Sequence, residues 1–237
     1  MILSWQQSSG TLVTGGNSNT IRVWDLGREQ CVRVFNTNLN TCTTAIASKS
    51  VQMETNSELM MGQGNEANRY FQSSDSSENT SLSWTFGGFA DGSVAIFDER
   101  VRGNGRVACA REHTTWVVSA DFSINTNEIV TGSVRGTVKV WDLRTMRSLK
   151  TLEVHKSPLT ALAVHKKAPI MATGSHAQFI KLLTMNGEQI GDIIKYHDGF
   201  LGQRIGPVSC LKFHPTKLLL AAGATDSIVA IYGFKDN

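Results

Sequence analysis

Gly132-Ser133-Val134-Arg135-Gly136-Thr137-Val138-Lys139-Val140-Trp141-Asp142 is the stretch on which the reading of this chain turns. It follows a β-branched run, Ile129-Val130-Thr131, and turns tightly at Arg135-Gly136, where glycine can take positive φ. It leaves on a second alternating run through Val138, Val140 and Trp141. Upstream, residues 116–122 alternate apolar and small polar side chains as a strand does, and Asn125 and Asn127 mark the intervening turn. Downstream, Leu149 and Leu152 place a fourth strand. A lone four-stranded sheet of this kind leaves an apolar face in water, so it needs a neighbour.

The neighbours are in the same chain. Segments 15–25, 88–98, 132–142 and 223–232 align without gaps, and 174–183 is a weaker fifth copy. Their large apolar endpoints are Trp24, Phe97, Trp141, Leu183 and Tyr232, separated by steps of 73, 44, 42 and 49 residues. Asp25, Asp98 and Asp142 follow three of those endpoints directly. His113 and His155 each stand 28 residues before an endpoint, Trp141 and Leu183. A period near 43 with a histidine in this phase resembles the WD-repeat β-propeller family, whose blades run to roughly 40–45 residues. In that family the histidine, a Ser or Thr, the tryptophan and a turn aspartate brace each blade by hydrogen bonds, a structural role. Here the network is incomplete: Arg135 stands where aspartate is usual, the second copy has Asp91 but no phased histidine, and Leu183 replaces tryptophan.

The expected fold is therefore an all-β propeller domain over residues 1–237, with about five blades present. The last blade lacks a fourth strand after Tyr232. A five-blade ring closing on itself would leave open strand edges, so we expect a fragment of a seven-bladed ring. The long step is one period plus an insertion at residues 49–80, between the first and second strands of the second blade. This segment is rich in Ser, Asn, Gln and acidic residues, and we expect it to be disordered. Ser73 to Ser77, set among Asp75 and Glu78, fit an acidophilic kinase; a solvated loop without regulation is the preferred reading.

Composition narrows the function classes. With 41% hydrophobic residues the chain can build a core, while 18% charged residues and a net charge of +3 provide no basic stripe for nucleic acid or anionic membrane. Cys31, Cys42, Cys109 and Cys210 form no C-x-x-C pair, and we expect reduced, buried thiols. No hydrolase, zinc or nucleotide-binding motif is present, and His197-Asp198 has no nucleophile in its sequence context. His165 and His214 recur in phase just after a first strand, which points to turn formation. We expect no enzyme activity, no cofactor and no catalytic or metal-ligating residue.

The segment 192–204 is the exception to the repeat. It joins the fourth blade to the fifth on the face where propellers usually meet partners. Tyr196, His197, Asp198, Phe200, Leu201, Gln203 and Arg204 are the candidate contact residues, a composition common at interface hot spots. Two readings stand side by side: a partner contact, or Phe200 and Leu201 filling a gap between blades. Around this loop, Tyr196-His197-Asp198-Gly199-Phe200-Leu201-Gly202-Gln203-Arg204-Ile205-Gly206-Pro207-Val208-Ser209-Cys210-Leu211, and around Arg111-Glu112-His113-Thr114-Thr115-Trp116-Val117-Val118, the chain resembles the C-terminal WD domain of the raptor family. The resemblance is clearest from about Gly105 onward. It implies a non-catalytic adaptor of target-of-rapamycin complex one, cytoplasmic with recruitment to the lysosomal surface. The implied partners, through a full-length protein, are the target-of-rapamycin kinase, its substrates and Rag GTPases. The competing reading from the repeats alone is a substrate receptor of a ubiquitin ligase, or an adaptor of another complex.

Overall fold

The structure, a computed structural model, describes residues 1–6, 9–51, 82–123, 127–196 and 203–233. Its 18 described strands form five antiparallel sheets. Blade 1 comprises β1 (Ile2–Gln6), β2 (Thr11–Gly15), β3 (Thr20–Asp25) and β4 (Gln30–Asn36). Blade 2 comprises β5 (Thr43–Val51), β6 (Leu82–Phe89), β7 (Ser93–Asp98) and β8 (Arg106–Arg111). Blade 3 comprises β9 (Val117–Phe122), β10 (Glu128–Ser133), β11 (Thr137–Asp142) and β12 (Arg147–Glu153). Blade 4 holds β13 (Leu159–Val164), β14 (Ile170–Ser175) and β15 (Phe179–Thr184), and blade 5 holds β16 (Val208–Phe213), β17 (Leu219–Ala224) and β18 (Val229–Gly233).

The innermost strands pack against one another in chain order, β1 on β5, β5 on β9, β9 on β13 and β13 on β16. This is the radial arrangement of a propeller. Four core clusters follow from it, one at each junction. Val13, Ile21, Val23 and Phe35 of blade 1 meet Phe89, Ala95 and Phe97 of blade 2, with Phe35 and Phe97 stacked at 5.1 Å. Phe86, Val94 and Ile96 then meet Val117, Ile129 and Trp141. Val130, Val138 and Val140 meet Leu159, Leu162 and Met171. Ala161, Ala172 and Ile180 meet Ile205, Val208, Leu211 and Phe213. Each such fully buried side chain contributes about 1.5–3 kcal/mol, which makes these junctions the main store of stability.

The two end blades each keep one face uncovered. Trp5 on β1 is 63% exposed, and Val229 and Ile231 on β18 are 74% and 70% exposed. The sheets thus form part of a propeller ring. Exposure also corrects the reading of the thiols: Cys31, Cys109 and Cys210 are exposed and only Cys42 is partly covered, all four unpaired. Cys31 and Cys109 lie on the outermost strands β4 and β8, and Cys210 on the uncovered side of β16, where no neighbouring blade reaches.

Repetition of small residues has a packing cause. A Cβ on Gly88 would stand 2.6 Å from Val117, and one on Gly174 would stand 2.5 Å from Val208. The glycine near the end of the second strand in blades 1 to 4 therefore lets the next blade's inner strand approach. Opposite it, the inner strand bulges at Thr44 in β5 and Thr160 in β13. The Thr44 hydroxyl donates to the Gly88 and Val117 carbonyls, and Thr160 repeats this with Gly174 and Val208.

Blade 4 departs from the expected four strands. After β15 the chain turns at Gly187, and Ile190 N–H donates to the Leu182 carbonyl at 2.8 Å. Pairing resumes only at Ile194, which exchanges two backbone bonds with Ile180 at 2.9 and 3.0 Å. Gly191, with φ of +64°, Asp192 and Ile193 loop out between these points, so the fourth strand is reduced to isolated bridges. In blade 2, strand pairing runs out to Val51 opposite Leu82; from residue 52 the inserted segment lies outside the described residues.

Candidate partner-binding face

The turns between second and third strands and the connections between blades share one face, locked together by backbone bonds. Val134 N–H donates to the Trp116 carbonyl at 2.9 Å, His176 N–H to Pro158 at 3.0 Å, and Thr225 N–H to Pro207 at 2.9 Å. Gly136, with φ of +87°, nests against the following connection so closely that a Cβ there would lie 2.1 Å from the His155 carbonyl oxygen. The WD aspartates work at the other end of the third strand. Asp25 accepts from the backbone N–H of Gly27 and Arg28, Asp142 from Arg144 and Asp98 from Arg100. Arg100 also forks onto Asp98 at 2.7 and 3.0 Å, holding that carboxyl below its ordinary pKa.

The bracing network of blade 3 is clear. Trp141 Nε1 donates to Thr131 Oγ1 at 2.8 Å, and Thr131 Oγ1 lies 2.7 Å from His113 Nε2. Thr131 Oγ1 thus joins the indole to the imidazole, accepting from Trp141 and sharing one hydrogen with His113 Nε2 in a direction set by the imidazole tautomer. In blade 4 His155 Nε2 lies 2.9 Å from Thr173 Oγ1, with Phe179 beside the ring. Blade 1 keeps the last link alone, Trp24 Nε1 to Thr14 Oγ1 at 3.0 Å. The Nδ1 atoms of His113 and His155 are buried without a partner among the described residues, the turn aspartate being replaced by Arg135 in blade 3 and by Ala177 in blade 4. Burial, with Lys139 near one ring and Lys181 near the other, pushes both histidines down to about 4, so both are neutral at pH 7.

Aspartate and histidine exclude each other around the described blades. Blade 2 keeps Asp91, which accepts from Ser93 N–H and hydroxyl, but Leu39 occupies the histidine position and joins the core. Blade 5 keeps Asp226, which accepts from Gly206 N–H at 2.8 Å and Ile228 N–H at 3.1 Å, while Arg204 stands in the histidine phase. His165 and His214 make turns: each accepts two backbone N–H bonds at Nδ1, and His165 Nε2 also reaches the Lys217 carbonyl at 3.2 Å.

Among the candidate contact residues, Tyr196, Gln203 and Arg204 are described and exposed. Tyr196 pairs antiparallel with Arg204, and Ile205 N–H donates to the Lys195 carbonyl at 3.0 Å. Ile205 is buried in the junction between blades 4 and 5, so the loop's base is firmly anchored. His197, Asp198, Phe200 and Leu201 lie outside the described residues. Among the described residues, no helix is long and apolar enough to cross a membrane. The cavity beside His155 and Ala177 escaped sequence reading; the signal for the unfilled aspartate position was Ala177 in the phase of Arg135 and Asp91.

The family model for the WD domain, G-beta repeat, matches residues 2–25, 106–142, 146–182 and 200–232. The chain belongs to this family. It is 38% identical over 237 residues to "Regulatory-associated protein of TOR 1" of Arabidopsis thaliana, covering 98% of this chain and 15% of that protein. It is 34% identical to "Protein raptor homolog" of Dictyostelium discoideum, with 98% and 14% covered. "Target of rapamycin complex 1 subunit mip1" of Schizosaccharomyces pombe is 31% identical, with 100% and 16% covered. The chain therefore spans 14–16% of the length of these relatives. The crystal structure of Chaetomium thermophilum Raptor has the same fold, with a TM-score of 0.74 at 22% identity over 99% of this chain and 19% of that one. The raptor resemblance read from the two quoted stretches is borne out, and the matched region covers nearly the whole chain.

Proposed function

We propose that this chain is the propeller of a raptor-type subunit and serves as a non-catalytic scaffold in target-of-rapamycin complex one. The observation that carries this reading is similarity along essentially the whole chain to proteins named as subunits or regulators of that complex. The fold supports it: four apolar junctions make a rigid body, and its polar side-chain networks are absorbed in bracing blades and turns. In this reading the full-length protein works in the cytoplasm, presents substrates to the target-of-rapamycin kinase and is brought to the lysosomal surface by Rag GTPases. The loop from Tyr196 to Arg204 is the proposed contact, since its base is fixed and its described residues are exposed.

The test is co-precipitation from cells of the full-length protein carrying Phe200→Ala and Arg204→Ala together. Recovery of the kinase with the parent and its reduction with the variant, at an unchanged unfolding midpoint, supports both the complex and the loop. Normal recovery with the variant makes the loop a filler between blades. A cullin or histone complex in place of the kinase overturns the scaffold assignment.

A further inference from the structure

The empty aspartate position of blade 4 leaves a histidine unpaired beside a cavity of about 830 Å³ on the face just described. Ala177 and His155 both line it, together with Arg135, Lys156, Ser157 and Lys181. His155 is only 6% exposed, and its Nδ1, across the ring from the Thr173 bond, has no hydrogen-bond partner among the described residues. A buried ring nitrogen left unmet costs about 1–3 kcal/mol, and in the tautomer that carries the proton on Nδ1 the position favours any acceptor that can reach it. Three cations line the cavity against one carboxylate, Glu153. Lys181 spends one donor on the Val154 carbonyl at 2.8 Å and keeps two. Lys156 and Arg135 are exposed at the rim.

The acceptor these groups fit is an anion, and the rest of the lining says which kind. The cavity far exceeds the volume of a small inorganic ion, and Phe179 and Ile193 add apolar wall, the latter from the looped-out segment of the broken fourth strand. That mixture suits an extended peptide with acidic side chains. We propose that this cavity takes an acidic peptide segment of a partner, one carboxylate of which occupies the missing aspartate's place, accepting the Nδ1 proton of His155 between Arg135, Lys156 and Lys181. The turn's link to His155 would then be made only in the complex. The inference stands independently of which assembly the chain serves.

Binding of a fluorescein-labelled hexaglutamate peptide to the full chain, followed by anisotropy, tests it, with hexaglutamine as the neutral control. The glutamate peptide should bind and the glutamine peptide should not. Lys156→Ala, a change on an exposed side chain, should weaken binding roughly tenfold, the loss of one charge-assisted contact. Ala177→Asn should abolish binding by placing an uncharged acceptor beside His155, and should raise the unfolding midpoint; diffuse attraction to a basic surface would survive this substitution. The His155 ring resonances should shift on peptide addition. Equal binding of both peptides, undiminished binding to Ala177→Asn, unmoved His155 resonances, or no binding at millimolar peptide would each overturn the proposal.

Discussion

Mild acid should loosen this propeller well before its carboxylates titrate. His113 sits 4% exposed, with Nε2 tied to Thr131 and Nδ1 unmet, and burial lowers its pKa from 6.5 to about 4. The unfolded chain takes up a proton near pH 6.5, whereas the folded chain resists one until about pH 4. Between these values the unfolded state binds more protons, so stability is full above pH 6.5 and falls as pH drops toward 4. At pH 5 the linkage comes to about 2 kcal/mol for His113. His155 acts in the same direction, by less once solvent screening is allowed for. Asp98 and Asp142, both held below their ordinary pKa, add their own losses only at lower pH. Urea unfolding at pH 7, 6 and 5, with and without His113→Gln, separates the contributions. The variant should be less stable at pH 7 yet lose markedly less on going to pH 5. A parent stability flat from pH 7 to 5, or a variant with the parent's slope, would refute the account of a neutral buried imidazole.

Gly136→Ala should destabilise by about 3 kcal/mol, combining positive-φ strain with a clash against the His155 carbonyl. Gly103→Ala, at φ of +79° in open space, should cost about 1 kcal/mol, and the comparison by chemical denaturation isolates the clash. Trp141→Phe removes the donor to Thr131 inside a fully buried junction and should cost about 1–3 kcal/mol by the same assay; an unchanged midpoint would show that the bracing network contributes nothing.

The repeat phase was legible because it rests on local chemistry. Turn glycines, β-branched runs and the Trp-Asp endings each report their own few residues, and the observed strands β10 and β11 lie where those signals place them. The turn-making role of His165 and His214 was readable from their recurrence. Features that depend on neighbours were not. Exposure of Cys31, Cys109 and Cys210 follows from which strand lies outermost and which blade face is bare, and a cysteine's own flanks do not carry that information. The loss of a continuous fourth strand in blade 4 is of the same kind, since Gly191 carries its backbone off the edge of β15 after Ile190. Within the candidate site, the exposed pair Tyr196 and Arg204 stood out as a break in the repeat. The cavity beside His155 did not, since its lining comes from separate turns and strands, and alanine at a turn attracts no notice.

The locks between Gly136 and the His155 carbonyl, and between Gly92 and that of His113, both lie on the face carrying the inter-blade connections. The extra residues of the long second repeat leave the chain instead between β5 and β6, at the opposite end of the strands. Lengthening there leaves both of these locks in place, whereas even one residue added beside Gly136 would unseat two blades at once. Relatives of this chain should accordingly differ in length on one side of the disc while keeping the other side's connections almost uniform.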